Sequence, residues 1–178
     1  RFWLFGPCNR VRAMMTQSAF AALWFLVFAT PVAAWVVWSD LSRMRIPNKA
    51  VLALIAIFAV VGLLVLPLPV WGWSWLNFAV VLVVGFVLSL SGGFGAGDAK
   101  FAAAMAPFVA LGDLRLFLVL LAAVVLASFI AHRLLRLIPA VRSATPEWVS
   151  WQRREFPMGL ALGPSLVFYL GLAAFYGQ

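Results

Sequence analysis

Acidic side chains are nearly missing from this sequence. Of 178 residues only five are Asp or Glu, against 13 Lys and Arg, and charged residues of either sign make up 10%. So few polar groups cannot cover a soluble domain of this length, whereas a hydrophobic fraction of 66% suits a chain that lives in lipid. Cysteine occurs once, at Cys8, which excludes a disulfide framework and a Cys-based zinc site. Histidine also occurs once, at His132, which argues against a histidine-rich metal centre. No Ser/His or Cys/His set for nucleophilic catalysis is visible, and neither a cofactor nor a metal is expected. A net charge of +8 would suggest nucleic acid in a soluble protein. Here the basic residues cluster in a few short loops, the pattern of positive loops held inside a membrane, and no nucleic-acid partner is expected.

Long apolar runs are what the chain has in quantity. About twenty apolar residues cross a bilayer core of roughly 30 Å. Candidate spans lie near residues 18–38, 50–69, 76–92, 99–112, 114–132 and 156–176. They predict an all-α polytopic membrane protein of about six transmembrane helices, forming a single domain over residues 14–178. The stretch "RFWLFGPCNRVRA", residues 1–13, precedes Met14 and Met15 and is read as an upstream or expression-derived tail. "TPVAAW" resembles a signal-peptide end, but the run before it is long enough to span, and a spanning helix is the better reading.

Loop charges orient the helices. The gaps after the first, third and fifth runs hold Arg43, Arg45 and Lys49, then Lys100, then Arg133, Arg136, Arg142, Arg153 and Arg154. The other side holds Arg115 and, in the tail, Arg1, Arg10 and Arg12. The basic gaps are therefore expected in the cytoplasm and both termini outside. Trp71, Trp73 and Trp75 are expected to mark the outer interface, and Trp148 and Trp151 the inner one. The basic stretch 133–155 is expected to lie partly along the cytoplasmic surface against anionic headgroups, or to be an ordinary connecting loop. Small residues at helical spacing (Gly85, Ser89 and Gly93; Ala99, Ala103, Ala106 and Ala110; Gly159 and Gly163) predict close helix packing.

The fourth run has at most fourteen residues, about 21 Å of helix, and falls short of the apolar core. One of its ends must be recessed. The glycine-rich turn "GGFGAGDAK", residues 92–100, is the better candidate, because irregular backbone survives in a membrane only where protein or a watery cavity covers it. The turn lacks the Gly-Lys-Ser/Thr ending of a phosphate loop and the spacing of a dinucleotide fingerprint.

The carboxylates divide into two groups. Asp113 is expected to cap the fifth helix, and Glu147 and Glu155 to be solvated partners of arginines. Asp40, in "WSDLSRMRIPNKA", and Asp98, ending the glycine turn, both fall at the cytoplasmic end of a helix junction. Singly, Asp98 reads as a helix N-cap and Asp40 as a juxtamembrane polar residue. Together, in a chain with so few acids, they favour a shared site facing the bundle interior. Two close carboxylates share a proton, which supplies a general base and a general acid near neutral pH. The ionised member can activate water against a peptide carbonyl that the protonated member polarises. Gly95 and Gly97 are expected to adopt backbone angles closed to other residues and to leave room for a substrate strand. Asn48 is expected to cap the second helix, with Pro47 holding the chain extended before it, and Lys100 to be an interface lysine.

Three stretches, "DLSRMRIPN" (40–48), "GAGDAK" (95–100) and "FPMGLALG" (156–163), together resemble the type IV prepilin peptidases, in particular the short Flp/Tad-pilus type. The resemblance covers about residues 18–176. It implies an inner-membrane aspartic endopeptidase of the Gly-x-Gly-Asp class, with Asp40 and Asp98 at the positions of the two catalytic aspartates. It implies as substrate a prepilin or pseudopilin, whose short basic leader ends in glycine and is followed by a hydrophobic helix, with cleavage at the cytoplasmic face. Longer members carry a domain with two Cys-x-x-Cys pairs and often N-methylate the product. This chain has one cysteine and no loop long enough for that domain, so methyltransferase activity is not expected. Two other readings stay open at this stage: a small proton- or cation-coupled transporter using the two aspartates, and an inactive structural subunit of a pilus assembly machine.

Overall fold

A computed structural model describes residues 15–90, 95–153 and 155–178. The expected tail, residues 1–13, and the start of the glycine turn, residues 92–94, lie outside the described residues. Among those described there are seven α-helices and no strand. They are α1 (Ala19–Arg43), α2 (Asn48–Val65), α3 (Leu68–Leu90), α4 (Ala96–Met105), α5 (Leu114–Leu137), α6 (Pro139–Ala144) and α7 (Gly159–Tyr176). α1, α2, α3, α7 and α5 with its preceding turn (Leu111–Leu137) are long and apolar enough to cross a membrane. The chain is an all-α polytopic membrane protein.

The sixth predicted crossing takes another form. α4 has ten residues, about 15 Å of helix, too short to cross a bilayer alone. It continues into 3-10 turns at Ala106–Phe108 and Leu111–Asp113, which rise faster per residue than an α-helix. The chain thus travels from the Asp98 end of the bundle to the Asp113 end on fewer residues. α1, which joins the same two ends, uses 25.

Three helices are longer than expected, α5 among them, which runs on to Leu137. α1 runs on to Arg43, because nothing from Ser39 to Arg43 breaks a helix. It stops at Met44, whose φ of 53° and ψ of 42° form a left-handed cap with the Met44 N–H donating to the Asp40 carbonyl. α3 starts at Leu68, since Pro69 falls in its first turn, where the missing N–H costs nothing. Trp71, Trp73 and Trp75 are therefore helical rather than loop residues. Trp73 is exposed, whereas Trp71 and Trp75 pack against the core, Trp75 edge-on to Phe58 at 5.3 Å.

In lipid, helices are held by close packing and hydrogen bonds rather than by the expulsion of water. Phe25 of α1, Phe58 of α2 and Phe108 after α4 form an aromatic knot with centroids 4.9–5.7 Å apart. Two of the small residues work as expected. A Cβ on Gly85 would stand 3.0 Å from Ala99 Cβ, and one on Gly163 would stand 3.1 Å from the Ala33 carbonyl. These contacts bring α3 onto α4 and α7 onto α1.

Asp113 does not cap α5; no capping bond is made by its side chain there. It is buried, and its carboxylate accepts the Thr16 N–H at 2.6 Å, the Thr16 hydroxyl at 3.0 Å, the Gln17 N–H at 3.0 Å and the Tyr169 hydroxyl at 3.0 Å. The segment ahead of α1 presents two free backbone donors in a row, and they outcompete the local helix end. Asp113→Ala leaves these donors unpaired and lowers the unfolding free energy by about 3 kcal/mol. Reversible unfolding in mixed micelles measures this, while activity per folded molecule is expected to stay at the parent level.

Trp151 does not face outward from the bundle. It is buried, stacked on His132 at 5.1 Å and on Trp148 at 5.6 Å, and its Nε1 donates to the Thr145 carbonyl. Trp148 meets Trp38 of α1 edge-on. The described residues of the stretch 133–155 are thus structured: α5 extends to Leu137, α6 follows, and a 3-10 turn at Val149–Trp151 seats the stack against α1.

Candidate active site

Three helix ends meet around one cavity: the C-terminal end of α1, the first turn of α4 and the N-terminal end of α7. The cavity has a volume of about 810 Å³, and Asp40 and Asp98 both line it. Also on its wall are Met44, Arg45, Ile46 and Asn48 from the α1–α2 turn, Gly95, Gly97 and Lys100 around α4, and Glu155, Phe156 and Met158 before α7.

Asp40 lies inside α1 and is 5% exposed. Its Oδ2 accepts the Gly159 N–H at 2.7 Å. That N–H belongs to the first turn of α7, where backbone donors have no partner within the helix, so a carboxylate is a natural acceptor. The approach needs glycine: a Cβ on residue 159 would stand 2.9 Å from Asp40 Oδ2, 3.0 Å from Asp40 Cβ and 3.1 Å from Val36 Cγ1. On the other side, the Ser39 hydroxyl donates to the Arg45 carbonyl at 2.9 Å and straps the following turn to α1.

Asp98 sits in the first turn of α4, outside the five long helices, and is partly exposed to the cavity. The N-cap is Gly95, not Asp98, and the Gly95 N–H donates back to the Asp98 carboxylate. This is half of a capping box. Burial raises the Asp98 pKa from 3.8 to about 6, the charge of Asp40 adds to the rise, and the Gly95 N–H opposes it. The two carboxylates therefore sense each other's charge.

The reason for the glycines differs from the expected one. Gly95 has φ −66° and ψ 135°, angles open to any residue, and Gly97 shows no left-handed φ. What Gly95 requires is space, since a Cβ there would collide with Asp98 Oδ2. A Cβ on Gly97 would make ordinary contact with Ile46 at 3.6 Å. Asn48 does not cap α2 either. Pro47 holds the N-cap position, Asn48 makes no capping bond, and it lines the cavity instead. Glu155 pairs with Arg153 at 3.5 Å, both exposed, as a solvated ion pair.

Residues 26–132 match the type IV leader peptidase family. The chain belongs to this family. Neither a curated protein nor a solved structure matches it. As a member of the leader peptidase family the chain is a membrane peptidase, and the matched span contains Asp40, Gly95, Gly97 and Asp98. Gly159 lies beyond that span; the sequence places it in a small-residue pair and in the stretch "FPMGLALG" without giving it a part in the site. The signal was available in "FPMG": Phe156, Met158 and Gly159 all belong to the site, Phe156 and Met158 on the cavity wall and Gly159 on Asp40. Met44 was also missed, and no feature of its side chain announces a left-handed turn.

Proposed function

We propose that this leader peptidase hydrolyses the peptide bond after the short basic leader of Flp/Tad-like type IV prepilins or pseudopilins, using Asp40 and Asp98 as an aspartyl dyad. The observation that carries the reading is the meeting of these two carboxylates in one cavity, each fixed by a backbone N–H from a glycine. With one proton between them, the ionised carboxylate takes a proton from water as the oxygen attacks the scissile carbonyl carbon. The protonated carboxyl hydrogen-bonds that carbonyl and gives it the proton. The tetrahedral diol then collapses: the C–N bond breaks, the amine leaves with a proton returned by the first carboxyl, and the second carboxylate recovers its own from the diol. The dyad ends as it began, and no group outside the dyad is needed for the balance. The pair titrates as a unit, so the roles belong to the dyad rather than to either member.

Residues 14–178 act in this reading as one peptidase domain in the bacterial inner membrane, with the cavity opening to the cytoplasm. Arg45 and Lys100 on its wall and Arg43, Arg136 and Arg142 in the basic loops support that orientation. Single cysteines at Arg43 and Arg142, in a Cys8-free background, are expected to react with a membrane-impermeant maleimide only once the cytoplasmic side is opened. Labelling of either from outside reverses the orientation. The activity itself is tested with purified protein in liposomes and a full-length Flp-type prepilin. Mass spectrometry is expected to find a new N-terminus directly after the leader, and no added methyl group when a methyl donor is supplied. An uncut prepilin overturns the proposal.

A further inference from the structure

A second cavity, of about 460 Å³, lies between α3 and α5 over α4 and the turns that follow it. α3 packs chiefly on α4, and α5 chiefly on α7, so the two long helices flank α4 without closing over it. The short α4 and its 3-10 turns form the floor, with Ala102, Ala106 and Ala110 at its centre. The walls are apolar, including Val80 of α3 and Leu118 of α5. Small residues on the floor and larger ones on the rims make a furrow shaped for the side chains along one face of a helix.

The furrow leads from the aspartates. Ala102 stands one helical turn beyond Asp98, and side chains four residues apart share a face of a helix. A chain segment that continues from the furrow along this face of α4 therefore runs toward Asp98. The one polar side chain among the furrow's lining residues is Asn77. It is half-buried near the middle of α3 and has no hydrogen-bond partner among the described residues. An amide held inside a bilayer without a partner is costly, and in membrane bundles such groups bond across to a neighbouring helix. An acyl chain fills a furrow but offers Asn77 nothing.

We infer that the furrow between α3 and α5 is the docking site for the hydrophobic membrane helix of the substrate, with Asn77 bonding a polar group on that helix. This rests on the leader-peptidase reading and adds to it where the membrane part of the substrate lies while its leader occupies the aspartate cavity. It also gives the shortness of α4 a use, because a full-length helix there would fill the space the substrate needs.

The test uses the full chain in phosphatidylethanolamine/phosphatidylglycerol liposomes. A photo-crosslinking amino acid replaces Val80, Leu118 or, as the off-site position, Leu64, which is 78% exposed on α2. Crosslinks to a full-length prepilin are expected from Val80 and Leu118 and not from Leu64. Crosslinks to lipid alone, or equal crosslinking from Leu64, overturn the inference. In parallel, Ala106→Phe is expected to lower kcat/KM for the full-length substrate at least about tenfold more than for a peptide that carries the cleavage site without the helix. Equal effects on the two substrates, with the short peptide still cleaved by the parent protein, overturn the docking site alone. A parent protein that cuts neither substrate overturns the peptidase reading instead.

Discussion

Asparagine in place of Asp98 removes leader cleavage: kcat/KM for a prepilin in liposomes is expected to fall by about 10²–10⁴-fold, the range for losing a positioned acid or base. Asp40→Asn is expected to do the same, and the double variant to be no worse than either single one, because a dyad acts as a unit. Folding survives in the Asp98 variant, since the asparagine carbonyl still accepts the Gly95 N–H. A cleavage rate within a fewfold of the parent for either single variant would sink the dyad.

The same substitution carries a stability signature with a definite sign. Asp98 titrates near 6 in the folded chain, against 3.8 for the unperturbed group. The folded state thus holds the proton more tightly, and the contribution of this carboxyl to stability is full below about pH 4 and lost as pH rises through 6. Asp98→Asn has no such loss. Its melting temperature relative to the parent is therefore expected to rise between pH 4 and pH 7 and to level off above. Thermal melts in detergent across that range check this, and a constant difference would show that Asp98 is not desolvated in the folded state.

Gly159→Ala is the second large effect. The added Cβ meets Asp40 Oδ2 at 2.9 Å, Asp40 Cβ at 3.0 Å and Val36 Cγ1 at 3.1 Å. Both contacting residues belong to α1, a packed helix that cannot easily give way, so the Asp40 carboxylate must turn or α7 must lift. Misplacing a reacting group by about 1 Å can cost on the order of 10²-fold in rate, and a loss of that order in kcat is expected here. Stability is expected to change little, because alanine is the better helix former by roughly 0.8–1 kcal/mol and offsets part of the strain. Gly171→Ala on the same helix is the comparison, since a Cβ there meets nothing within 4 Å. It is expected to leave activity at the parent level. Equal activity in the two variants would show that the Gly159 contact does not position Asp40.

Much of this arrangement was legible in the sequence because lipid writes in a simple code. Long apolar runs marked the spanning helices, and the scarcity of acids isolated Asp40 and Asp98 as a pair. The shortness of the run after Asp98 was also visible, and it proved to be a ten-residue helix extended by 3-10 turns. Contacts between residues far apart in the chain were not visible. Nothing near Asp113 indicates that its partners are Thr16, Gln17 and Tyr169, at separations of 97, 96 and 56 residues. Nothing near Trp151 indicates that His132 will stack on it. At Gly95 the sequence suggests unusual torsions, whereas the constraint is the room Asp98 occupies.

The Gly159 bond to Asp40 joins residues 119 apart in the chain, which has a consequence for synthesis. When Asp98 leaves the ribosome both aspartates exist, but the donor that fixes Asp40 has yet to be translated. A nascent chain halted before α7 therefore carries both acids without the bond that orients one of them. On the proposed dyad, activity therefore waits on a helix translated well after the two carboxylates.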